Sequence, residues 1–252
     1  PKGFNLHRNV ILRDGGELAR QVTPLTTQPP AGTTDPLDLY QWLQDYEDKT
    51  DGQALAISHN GNLSNGWLFP LTHTYAGGKV DKEYVELRAK WEPLYEVTQI
   101  KGTSETHPLL SDNDEWAGFE IMDYRVASKL PSEANGSYVR QALRVGLELA
   151  SKGAGNPYKF GLIGSTDTHV GGGALREEKF FSKAGLMDGT AESRGSVPAS
   201  FVIGTAAKWL VPDLVKEVDG KAYMAANVFE YWGASGVAAV WAEDNTRESI
   251  YE

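Results

Sequence analysis

The 252-residue chain contains no cysteine. Disulfides, iron–sulfur clusters and thiolate zinc sites are therefore excluded, and any bound metal must be held by His, Asp and Glu. The same absence leaves the compartment open between periplasm and cytoplasm. Basic residues are in deficit: 24 Lys and Arg stand against 34 Asp and Glu, a formal net charge of −10. That excludes a nucleic-acid binder working through a broad basic face. A small phosphorylated substrate stays compatible, because a bound divalent metal supplies positive charge locally. No run approaches the roughly 18 apolar residues of a membrane span, and no signal peptide opens the chain. Repeats, low-complexity tracts and obvious linkers are also lacking. The chain starts at Pro1 rather than Met, and the helix expected after Asn245 has barely begun at Glu252, so the sequence reads as processed or truncated. What is present is ordinary globular material: 40% hydrophobic, 23% charged, with seven Trp and eleven Tyr. That suffices for a sizeable core, taken as a single domain over residues 1–252.

Periodicity places the elements. A strand is expected around Asn9–Leu12, then a long Pro-, Thr- and Gly-rich loop from Asp14 to Pro36. Asp35 and Pro36 read as N-cap and first turn of a helix to about Asp48, with Leu39, Trp42, Leu43 and Tyr46 as its stripe. Ala54–Ser58 is a short apolar strand, Lys82–Trp91 a helix ended by Pro93, and Tyr95–Ile100 a second strand. Asp112–Met122 is a short helix or irregular segment. Ser137 is the expected cap of a helix whose stripe is Val139, Leu143, Leu147 and Ala150. Phe160–Ile163 reads as a buried strand, Arg176–Lys183 as a helix, Gly185–Ala207 as mostly loop, and Gly236–Trp241 as a last strand. Residues 211–236 carry no decisive pattern. The alternation of strand, loop and helix implies parallel strands with crossover helices, an α/β fold.

Three strand ends carry metal-ligand chemistry. Ala54–Ser58 runs into His59, Tyr95–Ile100 leads to Glu105 and His107, and Phe160–Ile163 leads to Asp167 and His169. In an extended backbone, positions i and i+2 face the same side, so the strand presents both Asp167 and His169 in one direction. Gly171-Gly172-Gly173 follows without side chains to block a site. Sites in parallel α/β folds lie at the carboxyl ends of strands. His59, His107, Asp167 and His169 are thus expected to converge on one rim as N and O ligands for Zn²⁺, Mn²⁺ or Fe²⁺. Glu105 is a candidate ligand, a partner orienting His107, or a general base. His7 and His73 read as ordinary surface or loop histidines.

Five segments carry a family resemblance: Asn5–Ile11, His59–Gly66, Lys101–Pro108, Gly164–His169 and Ala239–Glu243. Together and in this order they resemble a bacterial domain-of-unknown-function family, number thirty-six-oh-four, over essentially the whole chain. That family in turn is similar to the PHP (polymerase and histidinol phosphatase) superfamily. The resemblance implies the C-terminal portion of a distorted PHP-like β/α barrel with long loop insertions, and mostly phosphoesterase chemistry. It also implies two or three divalent metals in the complete protein. Single histidines from later strands match His59 and His107, and the closing Asp-x-His motif matches Asp167 and His169. The superfamily's early His-x-His is absent, as is any Asp-His dipeptide. The missing ligands are expected on an N-terminal remainder, in the same protein or as a separate chain, and this piece alone should bind metal weakly.

The leading expectation is a metal-dependent hydrolase acting on a small-molecule phosphate ester through metal-activated water. Glu105 is its candidate catalytic carboxylate, and Arg8 and Asn62 its candidate substrate contacts. The alternatives are a non-catalytic metal-containing module binding ligand through Arg8, Asn62, Asn65 and Trp67, or a hydrolase of a non-phosphate bond.

Overall fold

In a computed structural model the described residues are 4–30, 32–125, 128, 130–169, 190–193, 195, 197–224 and 238–252. The segments 171–173, 176–183 and 236–237, for which a glycine run, a helix and the start of a strand were expected, lie outside them. The chain divides into two compact units. One comprises Pro1–Val97, Thr103–Ile163 and Ala239–Glu252; the other comprises Thr98–Gly102 and Gly164–Ala238.

The main sheet is mixed and open, and the described strands do not close into a barrel. Its path runs β1 (Arg8–Leu12), β2 (Ala54–His59), β3 (Leu94–Gln99), β4 (Gly102–Thr103), with β5 (Gly161–Gly164) also pairing with β3. β2 and β3 are parallel, as the alternation of elements implies, with His59 opposite Glu96. β1 departs from that expectation and pairs antiparallel with β2, Arg8 opposite Ser58. β5 begins one residue later than expected and is not a buried strand: Leu162 is 49% exposed.

The first unit is built on two helices. In α2 (Pro36–Thr50), the Asp35 side chain accepts from the Leu37 amide, which satisfies one of the free N–H groups of the first turn. Its stripe buries Tyr40, Leu43 and Tyr46 against Ala54, Ala56 and Trp91. α3 (Lys82–Trp91) is capped by Asp81 through Tyr84 N and buries Tyr84, Val85, Arg88 and Trp91. A second cluster packs Leu68, Phe69, Tyr95 and Tyr158 against Val139 and Ala142 of α4 (Val139–Ser151). That helix is rotated from the sequence expectation. Val139, Ala142 and Gly146 face inward, whereas Leu147 is 67% exposed. Nor does Ser137 cap it. The fully buried Ser137 hydroxyl instead donates to Glu133 O and accepts from Gly66 N, tying two loops together. The first unit also holds two short helices, α1 (Gly16–Ala19) in the expected loop and α6 (Arg247–Tyr251).

The second unit holds α5 (Phe201–Leu210), where loop was expected, and a hairpin of β6 (Val215–Val218) and β7 (Lys221–Met224). Ser200 caps α5 by accepting from Ile203 N. Asp219 and Gly220, at φ 49° and 73°, turn the hairpin with both residues left-handed, the pattern of a type I′ turn. Residues 238–241, for which strand was expected, are irregular.

Candidate functional site

β2 ends on His59, and the parallel register sets Glu96 of β3 beside it. Both side chains are buried, and His59 Nδ1 lies 3.9 Å from Glu96 Oε1, an ion-pair separation longer than a hydrogen bond. The exposed His7 ring approaches the His59 ring, centroids 5.8 Å apart. His7 thus belongs to the same cluster, which one histidine in a loop gave no reason to expect. Its signal was position: His7 immediately precedes the edge strand that pairs with β2.

The Glu105–His107 pair does not present two groups in one direction. Glu105 is exposed and its carboxylate pairs with Arg140 at 2.5 Å, beside the Arg140–Asp114 pair at 2.7 Å. His107 turns inward, its ring 5.4 Å from that of buried Tyr138. Its Nδ1 accepts the Leu109 amide at 3.1 Å, and Nε2 lies 3.6 Å from Asp123 Oδ2. An Nδ1 that accepts carries no proton, so the neutral ring has its N–H on Nε2. A ring held in this tautomer has no Nε2 lone pair for a metal, and His107 does not fit the ligand role.

Asp167 and His169 are brought together differently from the extended geometry expected. Asp167 is left-handed, φ 54°, so the chain turns there instead of continuing as a strand. The Thr166 hydroxyl, accepting from Thr168 N, steadies the turn. His169 Nδ1 lies 2.7 Å from the Asp167 carbonyl oxygen. A carbonyl only accepts, so Nδ1 carries the proton and Nε2 keeps its lone pair on an exposed ring. Metal-binding imidazoles are held in this way, by an oxygen acceptor on the other nitrogen. The Asp167 carboxylate pairs with Lys101, whose ammonium also meets Gln99 Oε1 at 2.7 Å. Lys101, at the head of the segment Lys101–Pro108, is a partner of Asp167 that the sequence did not single out.

The expected substrate contacts are engaged within the protein. Arg8 donates from Nε to Glu92 at 2.7 Å and from Nη1 to Leu6 O at 2.6 Å, its side chain 3% exposed. The fully buried Asn62 donates to Met122 O and accepts from Ser104 Oγ, each at 2.8 Å. Asn65 Oδ1 accepts from Arg125 Nε and Glu133 N, and Trp67 meets Tyr75 edge-on.

Fit to a metal is therefore uneven. The turn at Asp167–His169 offers a carboxylate and a correctly protonated imidazole, and His59 turns Nδ1 toward a carboxylate in the same sense. Among the described residues no group of three or more His, Asp or Glu side chains is arranged to hold a metal ion. No helix among them is long and apolar enough to cross a membrane. No curated protein and no solved structure matches the chain. The family described as protein of unknown function (DUF3604) matches residues 1–252, and the chain belongs to that family.

Proposed function

We propose that this chain contributes ligands to a metal-dependent hydrolase of PHP-like barrel type, with a phosphate ester as the substrate class. The residues that would hold divalent metal are Asp167 with His169 at one point of the chain and His59 at another. The observation that carries the reading is the 2.7 Å contact of His169 Nδ1 with Asp167 O, which fixes the tautomer a ligand needs. When bound, such a metal supplies a water of pKa lowered to about 7 and a Lewis acid for the ester. The chain's own residues hold and orient: the Asp167 carbonyl fixes the His169 ring, and Glu96 faces the inner nitrogen of His59. Glu105, paired with Arg140, has no part in this reading, and neither has His107.

The test uses full-length protein, with metal content by mass spectrometry and turnover of bis-p-nitrophenyl phosphate. Expected are bound divalent metal and hydrolysis, both lost in His169→Ala. Metal content unchanged in a His59→Ala, His169→Ala double variant would falsify the ligand assignment.

One observation favours a second reading, a ligand-binding module. A cleft of about 220 Å³ is lined by Thr103, Glu105, Thr106, Trp116, Ala117 and Phe119. Trp116 and Phe119 are 69% and 60% exposed there, a platform for a stacking ligand. Retained metal without turnover across phosphate, ester and amide substrates would support it.

A further inference from the structure

Arg140, in the first turn of α4, holds two loops at once. Its Nη2 donates to Glu105 Oε1 at 2.5 Å and its Nη1 to Asp114 Oδ2 at 2.7 Å. Asp114 in turn accepts the Trp116 amide on Oδ1 at 2.9 Å. One connected run therefore joins Glu105, Arg140, Asp114 and the backbone of Trp116. The loop is pinned at its far end as well: Thr103 N donates to Glu120 O at 2.9 Å, and Thr103 bridges Ile121. Between these ties lies the cleft lined by Thr103, Glu105, Thr106, Trp116, Ala117 and Phe119, all within the first unit. Its buried lining residues, Thr106 and Ala117, are small. Its exposed aromatic rings, Trp116 and Phe119, meet edge to face with centroids 6.4 Å apart. Rings on a loop already pinned lose little further freedom when a ligand stacks on them.

We infer that this cleft is a saccharide subsite, in which one neutral pyranose lays its C–H face on Trp116 beside Phe119 and hydrogen-bonds its hydroxyls to Glu105 and Arg140. The inference deepens the ligand-binding reading above, on which it rests, and needs no metal. Charge narrows the ligand class. Residues 112–123 carry five carboxylates, Asp112, Asp114, Glu115, Glu120 and Asp123, and no Lys or Arg, so an anion is repelled. An aliphatic ligand would cover Glu105 and Arg140 without bonding them. An ammonium only donates, and it meets Arg140 as a like charge. A hydroxyl both donates and accepts, which suits a rim that sets carboxylate oxygens beside guanidinium N–H groups. A ring with an apolar C–H face and hydroxyls along its edge answers both the indole and the ion pair. The volume of about 220 Å³, small for a drug-sized ligand, has room for one such ring.

The experiment is saturation-transfer NMR titration of full-length protein with methyl β-D-glucopyranoside, methyl β-D-galactopyranoside and methyl α-D-mannopyranoside. Methyl β-D-glucuronide, choline and adenosine monophosphate are the contrasts. Expected is binding of at least one neutral glycoside, with the strongest transfer at its axial ring protons. That binding should weaken about tenfold in Trp116→Ala through the lost stacking surface, and about fivefold in Glu105→Gln through the lost charged acceptor. Both side chains are exposed, and circular dichroism checks that each variant is folded. In wild type the glucuronide should bind severalfold more weakly than the glucoside, a comparison that needs no variant. Glycoside binding unchanged in Trp116→Ala overturns the inference, and so does glucuronide bound as tightly as glucoside. Choline or adenosine monophosphate bound through Trp116, with no glycoside bound, overturns the saccharide assignment and leaves the ligand-binding reading standing. No probe whose binding depends on Trp116 overturns both.

Discussion

Arg8 and Glu92, 84 residues apart in sequence, meet at 2.7 Å inside the core of the first unit. Their side chains are 3% and 0% exposed. The Glu92 carboxylate also accepts from Tyr40 at 2.6 Å and from Ser58 at 2.9 Å, so β1, β2, α2 and α3 are joined through one buried anion. Arg88 Nη2 lies 2.9 Å from Glu92 as well, but out of hydrogen-bond alignment, and Arg88 instead donates from Nη1 to Leu68 O and Tyr84. Removing the anion leaves two buried guanidinium groups uncompensated. Glu92→Gln should therefore destabilise the protein by about 3–5 kcal/mol in urea unfolding. A loss below about 1 kcal/mol would mean that the two arginines find other compensation.

Acid should act through the same carboxylate. Burial alone would raise the pKa of Glu92, but the charges of Arg8 and Arg88 outweigh it and hold the group at about 2 against an ordinary 4.5. A depressed carboxylate gives stability that is complete above the unfolded value and lost as pH falls through the folded one. The window is thus pH 4.5 down to about 2, and the contribution is about 3 kcal/mol. The urea midpoint should fall across that window in wild type and change much less in Glu92→Gln. Parallel slopes would place the acid sensitivity elsewhere.

His107 is assigned to structure, so His107→Gln should leave the metal content of the full-length protein unchanged. The amide oxygen of Gln has reach to accept from Leu109 N in place of Nδ1, and His107→Ala should lose about 1 kcal/mol or more through the unsatisfied amide. Lost metal in His107→Gln would return the residue to the ligand set.

The loops beneath α4 depend on one close approach. Gly136 is left-handed, φ 79°, and a Cβ there would stand 2.3 Å from Gly66 O. Gly77 shares the left-handed backbone, φ 90°, with nothing within 4 Å of its Cβ position. Gly77→Ala should cost about 1–2 kcal/mol from conformation alone, and Gly136→Ala clearly more, measured as the shift in melting temperature. Equal shifts would show that the loop at Gly66 yields without resistance.

Helices α2 and α3 of the first unit were legible because their signals are local. Asp35-Pro36 announces α2, and the spacing of Tyr84, Leu87 and Trp91 followed by Pro93 brackets α3 at its observed ends. α5 was missed because Phe201–Leu210 is apolar almost all round, with Phe201 and Trp209 87% and 88% exposed, so no 3.6-residue contrast marks it. The hairpin β6–β7 was available in principle: Asp219-Gly220 between two four-residue strands is a strong turn signal. Candidate site residues could be picked by type and position, but their orientation could not be read. Glu105 and His107 share a spacing with Asp167 and His169, yet Arg140 draws Glu105 outward while Leu109 N fixes His107 inward. Lys101 and Arg8 became readable only through partners 66 and 84 residues away.

Anomalous X-ray scattering from crystals of the full-length protein, recorded at the Mn, Fe and Zn edges, shows whether Asp167 and His169 hold a metal. A divalent metal coordinated by His169 Nε2 and the Asp167 carboxylate at about 2.0–2.2 Å is the expected result. A metal ligated by neither Asp167 nor His169, or no anomalous peak beside them in metal-supplemented crystals, would contradict it.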